Sequence, residues 1–348
     1  MSQPISCIAD QDLIPQQLCV TWDRKPTTLL NRFIHFVRGK KWGDAEIDEP
    51  SRIRCNGQGC RCNIVFCPPS TSLTIWAILV YLREFPMVES QILYNDGAGY
   101  ERYMGTWSRL AGETFLNWLA PLPGLRWIDV GCGTGAFTEL LVESRAPAEV
   151  QAIDPSEAQL DFARKRPAAK VAEFRQGDAT ALPFSNDRFD AAVMALVIFF
   201  ILEPANGVSE MVRVVCPGGI VATYAWDLLG GGFPLEPIQA AMRAIGLTPI
   251  LPPSPGASRM ETLWNLWRDV GLDAIETREI TVQRTFTDFD DFWTTSLLSA
   301  SIRPMVAAMA PDLLELLKTE VRMRLPADAM GRITYSARAN AVKGLVSK

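Results

Sequence analysis

Histidine is all but missing: His35 is the only one in 348 residues. From 36 to 348 the commonest general base is therefore excluded, and no imidazole stands ready to join cysteines around a metal. Long apolar runs are missing too. The most apolar stretch near the N-terminus, "LTIWAILVYL" (73–82), is about half of the ~20 residues a membrane helix needs. The chain does not open on a basic start, apolar run and small-residue cleavage site, so no secretory leader is expected. A basic surplus is also absent, since 34 Lys and Arg face 39 Asp and Glu for a net charge of −5. That balance argues against a nucleic-acid partner. These absences together predict a cytoplasmic protein with free thiols, no membrane span and no nucleic acid to hold.

What is present is unevenly spread. Apolar residues make up 48% and charged ones 21%, as in an ordinary globular protein. Residues 1–86 carry 10 Lys and Arg against 8 Asp and Glu, whereas 87–348 carry 24 against 31. Six of the eight cysteines (Cys7, Cys19, Cys55, Cys60, Cys62, Cys67) lie in the first 67 residues; Cys132 and Cys216 follow later. Four of the six are spaced C-x₄-C-x-C-x₄-C in "CNGQGCRCNIVFC" (55–67). That spacing lacks the C-x₂-C knuckles of zinc sites, so no metal is expected there. Neither a helical nor a strand period persists through 1–86. The segment reads either as an accessory module or as a poorly ordered extension translated from an upstream start. Its composition, and the clean beginning at Met87, favour the second reading.

From residue 101 the periodicity is regular. "ERYMGTWSRLAGETFLNWLA" (101–120) spaces Met104, Trp107, Leu110, Phe115, Trp118 and Leu119 as a helix would, and Pro121 ends it. Strands are expected at 126–130, 149–153, 171–175, 190–196 and 219–225. Helices at about 135–144, 156–165 and 205–215 fall between them. Such alternation implies βαβ units and a parallel sheet with helices on both faces. After 226 come Gly/Pro-rich loops and a short helix near 236–245, then helix 259–270 and strand 274–284. "TDFD" (287–290) has capping-box spacing before a helical stretch. Helix 311–324 precedes a last strand from Ile333. The pattern predicts one α/β domain over 87–348, with its core at 100–226 and a lid plus two last strands at 227–348.

"WIDVGCGTGAF" (127–137) lies where such a sheet holds its ligand, beyond the carboxyl end of a strand. Gly131, Gly133 and Gly135 read as backbone that must approach something closely. A phosphate loop is excluded, because no Gly-Lys-Ser/Thr follows the glycines. A dinucleotide fits loosely, as G-x-G-x-x-A with Asp154 closing the second strand. Against it, no Tyr-x-x-x-Lys occurs anywhere.

Four stretches in order, "IDVGCGTGAF" (128–137), "AIDPS" (152–156), "QGDATALPFSNDRFD" (176–190) and "VCPGGIVATY" (215–224), resemble the class I S-adenosylmethionine-dependent methyltransferases. The resemblance is to their small-molecule, quinone-biosynthesis-like branch; it is strong over 100–226 and absent before 87. It implies a Rossmann-like, doubly wound, mostly parallel seven-stranded sheet with helical lid insertions. It further implies S-adenosylmethionine as cofactor, a ligand without phosphate that suits a loop without Lys or Arg. Carried over by position, Asp129 would lie near the methionine amine, and Gly131, Cys132, Gly133 and Gly135 would form the cradle. Asp154 would take the ribose hydroxyls, a task suited to a two-oxygen acceptor. Asp178 and the Ala179 N–H would read the adenine, with Pro155 and Leu182 walling it, and Leu196 would follow the fourth strand beside the cofactor. Tyr103 and Trp107 would close over the site from the preceding helix, unless their aromatics simply dock on the sheet.

The expected partner is a small-molecule methyl acceptor. The Asn/Asp-Pro-Pro-aromatic sequence of base-methylating enzymes is absent from "MALVIFFILEP" (194–204). Phe199, Phe200 and Trp226 read as apolar pocket walls or plain core, with 228–258 and 287–325 as lid. No catalytic residue is singled out; Tyr224 and Asp227 are the side chains in position to act as a base. Two rival readings are a nicotinamide-dependent oxidoreductase and a catalytically silent cofactor-binding partner protein.

Overall fold

The computed structural model describes residues 101–325 and 327–347, with backbone alone at 19–22, 52–57 and 60–65. The chain divides into two units, Met1–Ser90 and Gln91–Lys348. In the first, strands β1 (Cys19–Trp22), β2 (Arg52–Gly57) and β3 (Cys60–Val65) pair antiparallel in the order β1-β3-β2. No strand was legible there because cysteine, asparagine and glycine break the apolar alternation that marks one. The remaining expectations for 1–86, including the thiols of Cys55, Cys60, Cys62 and Cys67, lie outside the described residues.

The second unit is built on a seven-stranded sheet, in the order β6-β5-β4-β7-β8-β10-β9. Its strands are β4 (Arg126–Val130), β5 (Glu149–Asp154), β6 (Ala172–Gln176), β7 (Phe189–Ala195), β8 (Val215–Trp226), β9 (Asp273–Phe286) and β10 (Ile333–Leu345). All pairings are parallel except those of β10, which runs against both neighbours. In β4 and β5 every residue after the first is buried, because helices cover both faces of a parallel sheet. Edge strand β9 instead buries only Ile280, Val282 and Phe286. Its exposed charges, such as Glu276 paired with Lys343 at 3.3 Å, discourage edge-to-edge association.

The helices follow their apolar stripes. In α1 (Thr106–Leu119) Trp107, Ala111, Phe115 and Leu119 recur every fourth residue and are buried. The helix ends at Ala120, whose left-handed backbone (φ 47°) returns its N–H to the Leu116 carbonyl at 3.0 Å. Helices α2 (Ala136–Arg145), α3 (Glu157–Ala163) and α4 (Pro204–Val214) are the crossovers between parallel strands. The lid regions hold α5 (Glu236–Ala244), α6 (Met260–Asp269), α7 (Phe289–Ser296), α8 (Arg303–Ala307) and α9 (Pro311–Arg324).

Two local expectations shift. The cap of α7 is Asp288, which accepts from the Asp291 N–H at 2.8 Å, one residue later than the box read at 287–290. Asp291 Oδ2 reaches back to the Thr287 N–H instead. The segment before Ile220 is an irregularity inside β8, where the register jumps between Phe189 and Ala191. A Cβ at Gly219 would lie 2.7 Å from the Asp190 carbonyl, so this close passage needs glycine. No helix of the described residues is long and apolar enough to cross a membrane.

Candidate functional site

The chain runs outward from β4 through β5 to β6, then returns to β7 on the other side of β4. The reversal opens a crevice at the carboxyl ends of β4, β5 and β7. The glycine loop lies in it. Gly131, Gly133 and Gly135 all adopt left-handed backbone, with φ of 79°, 54° and 77°, a conformation glycine enters without steric penalty. A Cβ on Gly131 would strike the Val197 methyls at 2.5 Å, and one on Gly135 would press on Ala163 and Phe174. At Gly133 nothing lies within 4 Å. Two glycines therefore seat the loop, and the middle one faces open space.

Two acids back the loop. Asp154, at the end of β5, accepts the Gly133 N–H on Oδ2 and the Ser156 N–H on Oδ1, both at 2.8 Å. Burial raises its pKa, against the pull of those two hydrogen bonds. Asp129, in β4, is fully buried and accepts the Thr138 hydroxyl on Oδ2 at 2.6 Å. Its Oδ1 has no hydrogen-bond partner. Burial pushes the Asp129 carboxyl up to about 7; the Thr138 bond opposes this and the Asp154 charge adds to it. A buried carboxylate oxygen without a donor destabilises the protein unless a donor or cation arrives.

Sequence reasoning missed the brace on this loop. Arg166 donates Nε to the Thr134 carbonyl at 2.6 Å and pairs with Glu101 at 2.6 Å and Glu139 at 2.5 Å. The Thr134 hydroxyl reaches the same Glu101 at 2.5 Å. The loop is thereby tied to the wide turn Glu101–Gly105 that precedes α1. Arg166 lies 32 residues from Thr134, so no local pattern marks it.

The other expected site residues are placed as follows. Asp178 is exposed, and its Oδ1 accepts the N–H and hydroxyl of Thr180 at 2.8 Å. Ala179 is half-buried and Pro155 exposed. Leu182 is buried, its N–H held by Glu210 of α4 at 2.7 Å. Cys132 is buried and its thiol pushed well up, chiefly by burial, so it packs rather than reacts. Tyr103 is buried, and its carbonyl accepts from Arg284 of β9 at 2.9 Å. Trp107 is buried with its ring 5.1 Å from that of Tyr335, at the junction of α1 with the two last strands. Tyr224 packs beneath α1, 4.6 Å from the ring of Phe115. Asp227 is bound by Arg338 at 2.6 Å and the Gly230 N–H at 2.9 Å. Neither side chain presents a disengaged base. Among the described residues no group of three or more His, Cys, Asp or Glu is placed to hold a metal.

Past the end of β7 lies a shallow cleft, about 490 Å³ only when the open solvent in front of it is counted. Leu196, the residue after β7, lines it, with left-handed backbone (φ 64°) and its N–H on the Tyr224 carbonyl at 2.8 Å. Phe199, Phe200, Trp226, Phe233 and Leu251 form most of the wall, with Met104 from the turn before α1. Gln239 of α5 and Ser301 are its polar members. The cleft thus draws on the strand ends and on both lid regions.

A cationic, phosphate-free ligand fits the glycine loop. Asp129 Oδ1 offers an unused acceptor, Gly133 offers room, and the basic group nearest Thr134 is already paired on two sides.

Residues 128–223 match a family profile described as a methyltransferase domain. The chain is 40% identical over 102 residues to the demethylmenaquinone methyltransferase of Clavibacter sepedonicus, covering 29% of this chain and 41% of that protein. It is 35% identical over 126 residues to the enzyme of the same name from Renibacterium salmoninarum, covering 36% and 50%. To the chloroplastic 2-methyl-6-phytyl-1,4-hydroquinone methyltransferase 2 of Oryza sativa it is 41% identical over 96 residues, covering 28% of each chain. The chain thus spans half or less of the length of these curated relatives. Among solved structures, the S-adenosylmethionine complex of a Haemonchus contortus phosphoethanolamine N-methyltransferase superposes with a TM-score of 0.46 at 16% identity, covering 83% of this chain and 64% of that one. The profile match runs from β4 into β8, the same stretch of chain that builds the crevice, and over that stretch the chain is similar to methyltransferases.

Proposed function

We propose that this protein transfers the methyl group of S-adenosylmethionine to a small acceptor with an apolar body, and that it works in the cytoplasm. The observation that carries the reading is the partnerless Oδ1 of Asp129, buried behind a loop whose middle glycine faces open space. Bound there, S-adenosylmethionine supplies a methyl group already activated by its sulfonium. Asp129 would hold the ligand's ammonium, and Gly133 would admit its backbone-hugging tail. Asp154 uses two of about four lone-pair sites on N–H groups, which leaves room for ribose hydroxyls. Asp178, Ala179, Pro155 and Leu182 would frame the base.

The chain's contribution to rate is then positional. Phe199, Trp226 and Phe233 exclude water from the acceptor, and alignment of a bound pair can be worth effective molarities on the order of 10⁵ M. With Asp227 bound to Arg338 and Tyr224 under α1, the reading assigns no general base and favours an acceptor already nucleophilic at neutral pH. The acceptors named for the relatives, demethylmenaquinone and a phytyl hydroquinone, are apolar-bodied and suit such walls.

Calorimetry with S-adenosylhomocysteine against NADH tests the cofactor, and tritiated methyl transfer into a metabolite extract tests the chemistry. Binding of S-adenosylhomocysteine alone, with label appearing in a small organic product, is expected. Binding of NADH instead would falsify the proposal.

A further inference from the structure

The cleft is apolar on nearly every side, yet Gln239 lies in its wall. This side chain is only 2% exposed, and its Oε1 has no hydrogen-bond partner. Its own N–H is engaged, donating to the Leu235 carbonyl at 3.0 Å at the start of α5. The other polar member, Ser301, has its hydroxyl 2.9 Å from that of Ser299. A buried amide oxygen left without a donor is destabilising, and leucine or methionine would fill the same space without that loss.

We propose that Gln239 is a specificity-determining residue, its Oε1 accepting a hydrogen bond from a hydroxyl or N–H on the acceptor molecule. The acceptor class is thereby narrowed to an apolar body carrying at least one donor group. This rests on the methyltransferase reading for the identity of the occupant, though not for the binding preference itself. Discrimination follows from the same asymmetry that leaves Oε1 exposed to loss: an analogue without a donor fills the apolar walls but leaves the amide oxygen unpaired. Phe200 and Leu251, which line the same cleft, are 38% and 39% exposed, so the apolar wall that includes Gln239 opens to solvent.

The test uses the full chain and two probes of matched shape, 1-naphthol and 1-methylnaphthalene, titrated by ligand-observed NMR. The quantity read is the ratio of their dissociation constants in wild type, Gln239→Leu and Gln239→Met. The ratio is expected to shift by about tenfold against naphthol in both variants, the loss of one neutral hydrogen bond to a buried acceptor. Melting temperatures of the variants are expected to equal or exceed wild type, because a partnerless polar atom has been removed. An unchanged ratio, a lowered melting temperature in both variants, or no binding of either probe at millimolar concentration would each overturn the proposal. S-adenosylhomocysteine affinity is measured on the same samples. Its absence in wild type would count against the methyltransferase reading alone, and the naphthol ratio would still decide the role of Gln239.

Discussion

Asp129 and Asp154 stand at the carboxyl ends of adjacent strands, and burial raises both. For Asp129 the sign of the pH effect is definite. The unfolded chain releases this proton near 3.8, and the folded protein keeps it to about 7. Between those values the folded state binds more protons, so stability falls as pH rises and levels off above 7. Asp129→Asn is expected to remove most of that falling limb, which thermal melts across the window would show. The ammonium of a bound S-adenosylhomocysteine prefers the ionised carboxylate, so affinity for it should tighten as pH rises through about 7 in wild type. The Asp129→Asn variant should bind more weakly and show no such trend; an unchanged titration would dissociate Asp129 from the ligand. Asp154→Ala strands two backbone N–H groups as well as removing an acceptor. It is expected to weaken S-adenosylhomocysteine binding by at least about tenfold, or roughly 1.4 kcal/mol, in calorimetry. The resemblance to methyltransferases singled out both acids, at a strand end before three glycines and at the next strand end. What no pattern could convey is that Asp154 is already bonded to the loop it serves.

The glycine loop separates two uses of the same residue type. At Gly131 a methyl group meets Val197 at 2.5 Å in left-handed backbone, so Gly131→Ala combines strain with overpacking. The expected loss is roughly 2–4 kcal/mol of stability. At Gly133 the added methyl meets nothing, leaving only backbone strain of about 1–2 kcal/mol. Gly133→Ala should therefore melt closer to wild type while losing affinity for S-adenosylhomocysteine, because the methyl group would project into the open space proposed for the ligand. Paired melts and titrations check this; equal melting losses would mean that Gly133 has no ligand-facing role. Strand and helix positions were readable because each element buries a regular stripe: β4 as a short buried run interrupted only by Asp129, α1 as a four-residue repeat. The one-residue shift of the α7 cap illustrates the limit. Thr287 and Asp288 are both able to cap, and geometry chose the one whose carboxylate meets the Asp291 N–H.

Across the whole chain, sheet, loop and cleft are all drawn from Glu101 to Leu345. A polypeptide of residues 91–348 is accordingly expected to fold cooperatively and bind S-adenosylhomocysteine with the affinity of the full chain. Circular dichroism melts and calorimetry would check both, and loss of binding would assign the first unit a share in the site. Connections over long sequence distances close this unit. Arg284 reaches Tyr103 across 181 residues and Arg338 reaches Asp227 across 111. β9 is thereby joined to the turn before α1, and β10 to the residue that follows β8.

From the sequence alone followed the alternation of strands and helices, the parallel core and the glycine loop at the switch point. Each is encoded by residues close together in the chain, through periodicity, φ preference or strand-end position. Only the tertiary structure decided that Trp107 packs on Tyr335, that Arg166 clamps Thr134 to Glu101, that Val197 forbids a side chain at Gly131, and that Gln239 lies in an apolar wall with its Oε1 unpartnered. Those facts depend on which surfaces meet after the sheet has closed. Packing at that range is set by the crossing of elements far apart in sequence, which no local pattern carries.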